Sequence, residues 1–143
     1  MKYLFVFLLV GLVSCGDASS NASENVKPKL KEYSLDEVKV NANHMVFFKK
    51  DMKPVTGIVR GWYEDGQLWT EQNYKDGKKD GSDRWWYENG QLNNEYNYKD
   101  DKKDGLFRSW YENGQLMFDY NYKDGKLISE KCFDENGNKI ICE

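Results

Sequence analysis

Three observations predict an all-β fold, an open antiparallel meander of repeated β-hairpins. A block of about 24 residues recurs three times, each copy carries two turn signals, and strand-length segments lie between the turns. Composition agrees. The 143-residue chain holds 10 Tyr, 7 Phe and 5 Trp, an aromatic share of 15 % that disordered chains lack. Twelve Gly and two Pro suit a chain punctuated by glycine turns.

Charge and ligand counts exclude other classes. Lys+Arg 21 against Asp+Glu 24 leave a net charge of −3, so no basic domain of the kind that grips nucleic acid is expected. One His and three Cys leave no ligand to spare for a four-ligand zinc site, and no metal or other cofactor is expected.

Residues 1–14 read as a signal peptide. Lys2 is followed by the apolar run Leu4 to Val13, which is shorter than the roughly 20 residues that span a bilayer. Leu12-Val13-Ser14-Cys15 resembles the bacterial lipobox, which implies cleavage before Cys15 and lipidation of its sulfur. Several acyl chains hold a protein stably at a membrane. The expected location is therefore the bacterial cell envelope, lipid-anchored and facing the periplasm or exterior. Residues 15–30 read as a flexible tether and residues 31–56 as an N-terminal cap plus half a repeat. In the cap, Leu35, Val38, Val40, Met45 and Val46 supply apolar positions, and Phe47 to Thr56 looks like the second half of an earlier unit.

Residues 57–143 hold three full repeats and a degenerate C-terminal hairpin. The first copy runs from Gly57 through Arg60, Trp62-Tyr63-Glu64-Asp65-Gly66-Gln67 to Leu68, and Trp62, Trp86 and Trp110 recur 24 residues apart. Each copy closes on Asn-Tyr-Lys-Asp, at Asn73–Asp76, Asn97–Asp100 and Asn121–Asp124. Asp65-Gly66, Asn89-Gly90 and Asn113-Gly114 predict two-residue type I′ turns, and the Lys-Asp-Gly-Lys segments, with Asp101 once replacing Gly, predict the turns between hairpins. A two-residue turn pairs Tyr63 with Leu68, Trp62 with Trp69, Arg60 with Glu71 and Gly57 with Tyr74. The later copies give Arg84 with Glu95, Gly81 with Tyr98, Arg108 with Asp119 and Gly105 with Tyr122. An Arg faces an acid every time, which supports the register.

One face then carries the acids and the candidate binding surface, Arg60, Trp62, Arg84, Trp86, Arg108 and Trp110. Such aromatics, with Trp69 and Trp85, suit stacking of sugar rings or anchoring of a protein partner, and equally suit packing between hairpins with the Arg groups laid over them. The other face carries Val59, Tyr96, Phe107, Phe118 and Tyr120 and reads as the better packed one. Cys132 and Cys142 flank the last hairpin and are expected to bond. A three-residue loop through Asn138 sets them opposite each other, and a two-residue turn sets them on opposite faces.

Catalysis is not expected. Glu64, Glu88 and Glu112 repeat in equal settings, whereas an acid–base pair needs carboxyls in different ones. His44 has no recurring nucleophile beside it, and Lys102 and Lys103 interrupt the Asp100, Asp101, Asp104 group as a calcium loop.

The WYENGQL and YKDGK patterns resemble the MORN repeat variant found in bacterial proteins that include the YwqK-type antitoxins. The resemblance spans about residues 46–139. It implies a β-hairpin array and, through the antitoxin label, binding to a toxin protein. A lipobox would separate the chain from a cytoplasmic toxin, and an immunity role against an exported one survives that objection. Together these readings give a non-enzymatic, membrane-anchored protein-binding module. The competing readings are an envelope glycan- or peptidoglycan-binding protein and a structural spacer.

Overall fold

The computed structural model describes residues 29–142. The segment read as a signal peptide, Cys15 and most of the segment read as a tether lie outside them. Eleven strands follow in order: β1 (Glu32–Ser34), β2 (Val38–Val40), β3 (Val46–Phe48), β4 (Gly57–Trp62), β5 (Leu68–Lys75), β6 (Lys78–Trp86), β7 (Leu92–Lys99), β8 (Lys102–Trp110), β9 (Leu116–Lys123), β10 (Lys126–Phe133) and β11 (Lys139–Ile140). A single 3₁₀ turn, Leu35–Glu37, separates β1 from β2.

Nine strands form one sheet in the spatial order β1-β4-β5-β6-β7-β8-β9-β10-β11. From β4 onward every pairing is antiparallel and sequential, the meander expected from the repeats. At the N-terminal edge β1 departs from that expectation and pairs parallel to β4. Between β1 and β4 the chain leaves the sheet to build a small antiparallel hairpin, β2 with β3, so β1 runs in the direction of β4 when the chain returns.

That hairpin is the cap. Val38, Val46, Val55, Val59 and Tyr74 are buried together, with Tyr33, Leu35 and Phe48 packed against them. Two of the cap's expected apolar positions contribute less: Val40 is exposed and Met45 only half-buried, because the short hairpin turns one face outward. Residues Phe47 to Thr56 add no strand to the large sheet, contrary to the half-repeat reading. Phe47 bridges to Pro54, and the Val55 amide donates to the Val46 carbonyl. The same segment clasps the first lysine turn, where the Gly77 amide donates to Val55 and the Val46 amide to Gly77. Beyond this cap, the only apolar side chain buried among the described residues is Cys132. The repeats form a single layer.

The type I′ geometry expected of the Asx-Gly turns occurs instead at the lysine turns. The lysine turns are the two-residue type I′ turns: Lys75 pairs with Lys78, and Asp76 and Gly77 have φ of 50° and 81°. Asp100 and Asp101 do the same at 47° and 64°. The Asx-Gly turns are one residue longer. The Tyr63 amide donates to Gln67, the Gly66 amide donates to Tyr63, and only Gly66 has positive φ, which is a type I turn closed by a left-handed glycine.

Trp62 therefore pairs with Leu68, not Trp69, and Trp69 is the extra residue of a bulge between Gly61 and Trp62. The longer loop moves the register by one and the bulge moves it back. All the expected Arg–acid and Gly–Tyr pairs survive: Arg60–Glu71, Arg84–Glu95, Arg108–Asp119, Gly57–Tyr74, Gly81–Tyr98 and Gly105–Tyr122.

Candidate binding surfaces

The conserved spacing of the repeat is explained first by contacts between successive turns. The Tyr63 hydroxyl donates to the Trp86 carbonyl at 2.7 Å, Tyr87 to Trp110 at 2.8 Å and Tyr111 to Phe133 at 3.0 Å. Within each turn the Asx side chain accepts the Gln amide, as Asp65 does from Gln67, Asn89 from Gln91 and Asn113 from Gln115. Asn89 and Asn113 also donate forward to the carbonyls of Glu112 and Glu135. The Gln67 side chain lies over Gly90, where an added Cβ would sit 3.3 Å from its oxygen. Tyr, Asn, Gly and Gln thus hold turn to turn, and Glu64, Glu88 and Glu112 point from the exposed tips.

The polar face carries three rows running across the strands. In the central row, charges alternate. Arg60 Nε donates to Glu71 at 2.8 Å, Arg84 to Glu95 at 2.9 Å and Arg108 to Asp119 at 2.8 Å, with Glu32 closing the row on Arg60. The Glu71 hydrogen bond holds the Arg60 guanidinium above its ordinary range. The second row pairs Trp62, Trp86 and Trp110 with Leu68, Leu92 and Leu116. Trp62 is 49 % exposed, whereas Trp86 and Trp110 are half-buried. The third row holds Asn side chains that donate to neighbouring strands, Asn73 to the Ser82 carbonyl and Asn97 to the Leu106 carbonyl.

Trp69 and Trp85 lie on the opposite face, 5.2 Å apart edge to face, because the bulge turns Trp69 away from Trp62. The Trp85 indole donates to Asp83 at 2.6 Å. Asp83 is 2 % exposed and also receives Lys79 and the Gln72 amide. It occupies the column that holds Val59 in the first repeat and Phe107 in the third. This buried polar cluster was legible only as an acid in an apolar column.

Further along that face the rings form a stack. Tyr96 and Phe107 lie 3.8 Å apart and nearly parallel, and Phe118 and Tyr120 lie 4.7 Å apart. Lys103 Nζ sits 3.9 Å from the Phe107 ring centroid and 4.7 Å from that of Tyr122. Burial pushes the Tyr96 hydroxyl up to about 12. None of these rings is fully buried, and no second layer of the described residues covers them. Sequence reasoning placed these rings on the packed face and missed Lys103, whose spacing from Phe107 resembles an ordinary solvated lysine.

Cys132 and Cys142 are bonded, with Cα atoms 5.3 Å apart. The final loop spans 135–137, closed by the Asp134 amide on Asn138, so Cys132 pairs with Ile140 and the bond runs diagonally. The register through Asn138 does not occur. His44, at φ 61°, sits exposed in the β2–β3 loop. Asp101 accepts the Lys79 amide and Asp104 binds Lys123, whose hydrogen bond draws the Asp104 carboxyl below its usual range.

An open, single-layer sheet of interlocked hairpins with surface rows repeating every second strand defines a β-hairpin repeat protein, a class that serves as a scaffold for binding. Three consecutive segments, residues 55–76, 79–100 and 103–124, match the MORN repeat variant. No curated protein and no solved structure matches the chain.

Proposed function

We propose that the protein is a non-enzymatic binding module, held at the bacterial envelope by lipid on Cys15, whose aromatic face docks a protein partner. The observation that carries this reading is the uncovered ring stack of β7–β9 on a sheet whose core is confined to its capped end. A one-layer sheet gains stability when a second layer buries its apolar face. Rings with an adjoining lysine suit the mixed chemistry of protein interfaces, where aromatics anchor binding. The MORN-variant repeats support a binding role in general, and the resemblance to YwqK-type antitoxins favours a specific version, immunity against an exported toxin.

The test is recovery of a partner from solubilised envelope with the tagged, lipidated chain. A single stoichiometric protein, lost with Phe107→Ala or Tyr120→Ala and retained with Trp62→Ala, is the expected result. A second reading, glycan or peptidoglycan binding, is favoured by exposed Trp62 beside the Arg row. Under it the Trp62, Trp86 and Trp110 substitutions abolish recovery and the Phe107 substitution does not. A hydrolytic activity that vanished with Glu88→Gln would overturn the non-enzymatic assignment.

A further inference from the structure

The C-terminal edge of the sheet is an unfinished hairpin. β5, β7 and β9, which complete the three repeats, have eight residues each, whereas β11 has two and pairs only with Cys132 and Phe133 of β10. A continued β11 would carry Cys142 opposite Glu130, but the disulfide holds its Cα 5.3 Å from that of Cys132. Lys126–Lys131 of β10 therefore has no strand on its outer side among the described residues, and all six residues are exposed. Leu127 and Ile128 of this stretch, with Ile140 and Ile141 beside it, are exposed apolar side chains, Ile128 at 63 %. Free strand edges are commonly blunted by bulges. The register break between Leu127 and Ser129 is no such barrier, because β6 and β8 break register against the preceding strand at the same stretch and still receive β7 and β9 on the other side.

The open edge carries a definite side-chain pattern. Lys131 pairs with Asp119 and extends the alternating charge row by one strand, so the row ends on a cation. That lysine enters no ion pair among the described residues. Three residues earlier, Ile128 stands where Gly81 and Gly105 precede Arg84 and Arg108. In those repeats the next strand sets an acid opposite the Arg and, three residues later, a Tyr opposite the Gly: Glu95 and Tyr98, then Asp119 and Tyr122.

We propose that the Lys126–Lys131 edge receives an extended, antiparallel strand from a partner protein, with an acid opposite Lys131 and, three residues later, an aromatic residue opposite Ile128. Backbone hydrogen bonds along the added strand supply affinity, and the two side-chain positions supply selection. The acid continues the charge alternation, and a ring over a β-branched side chain is a favourable cross-strand pair. This edge is distinct from the ring face of β7–β9, and its test is independent of what that face binds.

The probe is a fluorescent peptide with the sequence of β7, Leu92–Lys99, which holds Glu95 and Tyr98 at the required spacing. Added to the full chain, it should raise anisotropy saturably and slow hydrogen exchange within Lys126–Lys131. Lys131→Glu in the protein should weaken binding about fivefold. The peptide carrying Glu95→Lys should recover that loss on the Lys131→Glu protein, a rescue that a merely misfolded variant cannot give. Ile128→Lys, at an exposed position, should weaken both peptides. No binding up to millimolar peptide, slowed exchange outside Lys126–Lys131, or equal affinity for native and Lys131→Glu protein would overturn the proposal. Concentration-dependent self-association that protects the same segment without peptide would also overturn it, and would assign the edge to a second copy of the chain.

Discussion

The Tyr of each Asx-Gly turn is the residue that joins one hairpin to the next. Its hydroxyl donates to a backbone carbonyl 22 or 23 residues away. Tyr87→Phe removes one donor and leaves the Trp110 carbonyl without it, so a loss of about 1 kcal/mol in urea unfolding is expected. Asp83 makes the opposite case. Asp83→Val restores the apolar residue of the first repeat, yet it removes the acceptor shared by the Trp85 indole, the Gln72 amide and Lys79 at a buried position. Destabilisation by about 1–3 kcal/mol is expected by the same measurement, and a stabilised variant would refute the role assigned to the cluster. The candidate Trp residues show why residue-level reading stopped short. Asn-Gly signals a turn with left-handed glycine whether the loop has two residues or three, and nothing local announces the bulge at Trp69. The two offsets cancel over the strand, so the Arg–acid pairs were legible while the partner and face of Trp69 were not.

At the scale of elements, the meander was legible because each turn type has its own local chemistry, and three copies repeat it. The cap was not. Its strands have three residues each, and β1 gains its place from a single close approach to β4 rather than from an alternating pattern. That approach occurs at Gly57, where φ is 145° and an added Cβ would overlap the Lys31 carbonyl and the Tyr33 ring. Gly57→Ala is expected to free β1 while leaving β6–β9 paired. Hydrogen exchange would show this as lost protection of the Ile58 amide, which donates to Lys31, with the amides of β7 and β8 unchanged.

The whole molecule behaves as a stack of equal units, so its length is adjustable in steps. Deletion of residues 81–104 removes one period and joins Asp80 to Gly105, preserving every local pairing pattern. The product is expected to fold to the same β signature by circular dichroism, at lower stability, as additive repeat energetics requires. Deletion of one residue fewer breaks the clasp between turns and should lose cooperative unfolding. Alkaline pH acts on the ring face. The unfolded chain ionises Tyr96 near 10, and burial in the fold keeps it protonated to about 12. The folded state therefore holds the extra proton, so this contribution is complete below pH 10 and is lost between about 10 and 12. Denaturant midpoints should fall over that interval, in step with tyrosinate absorbance.

The confinement of the core to the capped end has a mechanical consequence. Load passed between the N-terminal side of the chain and a partner seated on β7–β9 enters through the best-packed part of the molecule, where Val55 and Val59 are fully enclosed. The hairpins beyond resist separation through ladder bonds, ring stacks, turn clasps and ion pairs between strands, each of them small, and the Cys132–Cys142 bond closes the last hairpin. Under tension the array should yield one hairpin at a time from the loaded repeats, extending in steps of about 24 residues while the cap stays shut. The sheet would then act as a yielding leash with a fixed grip at its capped end.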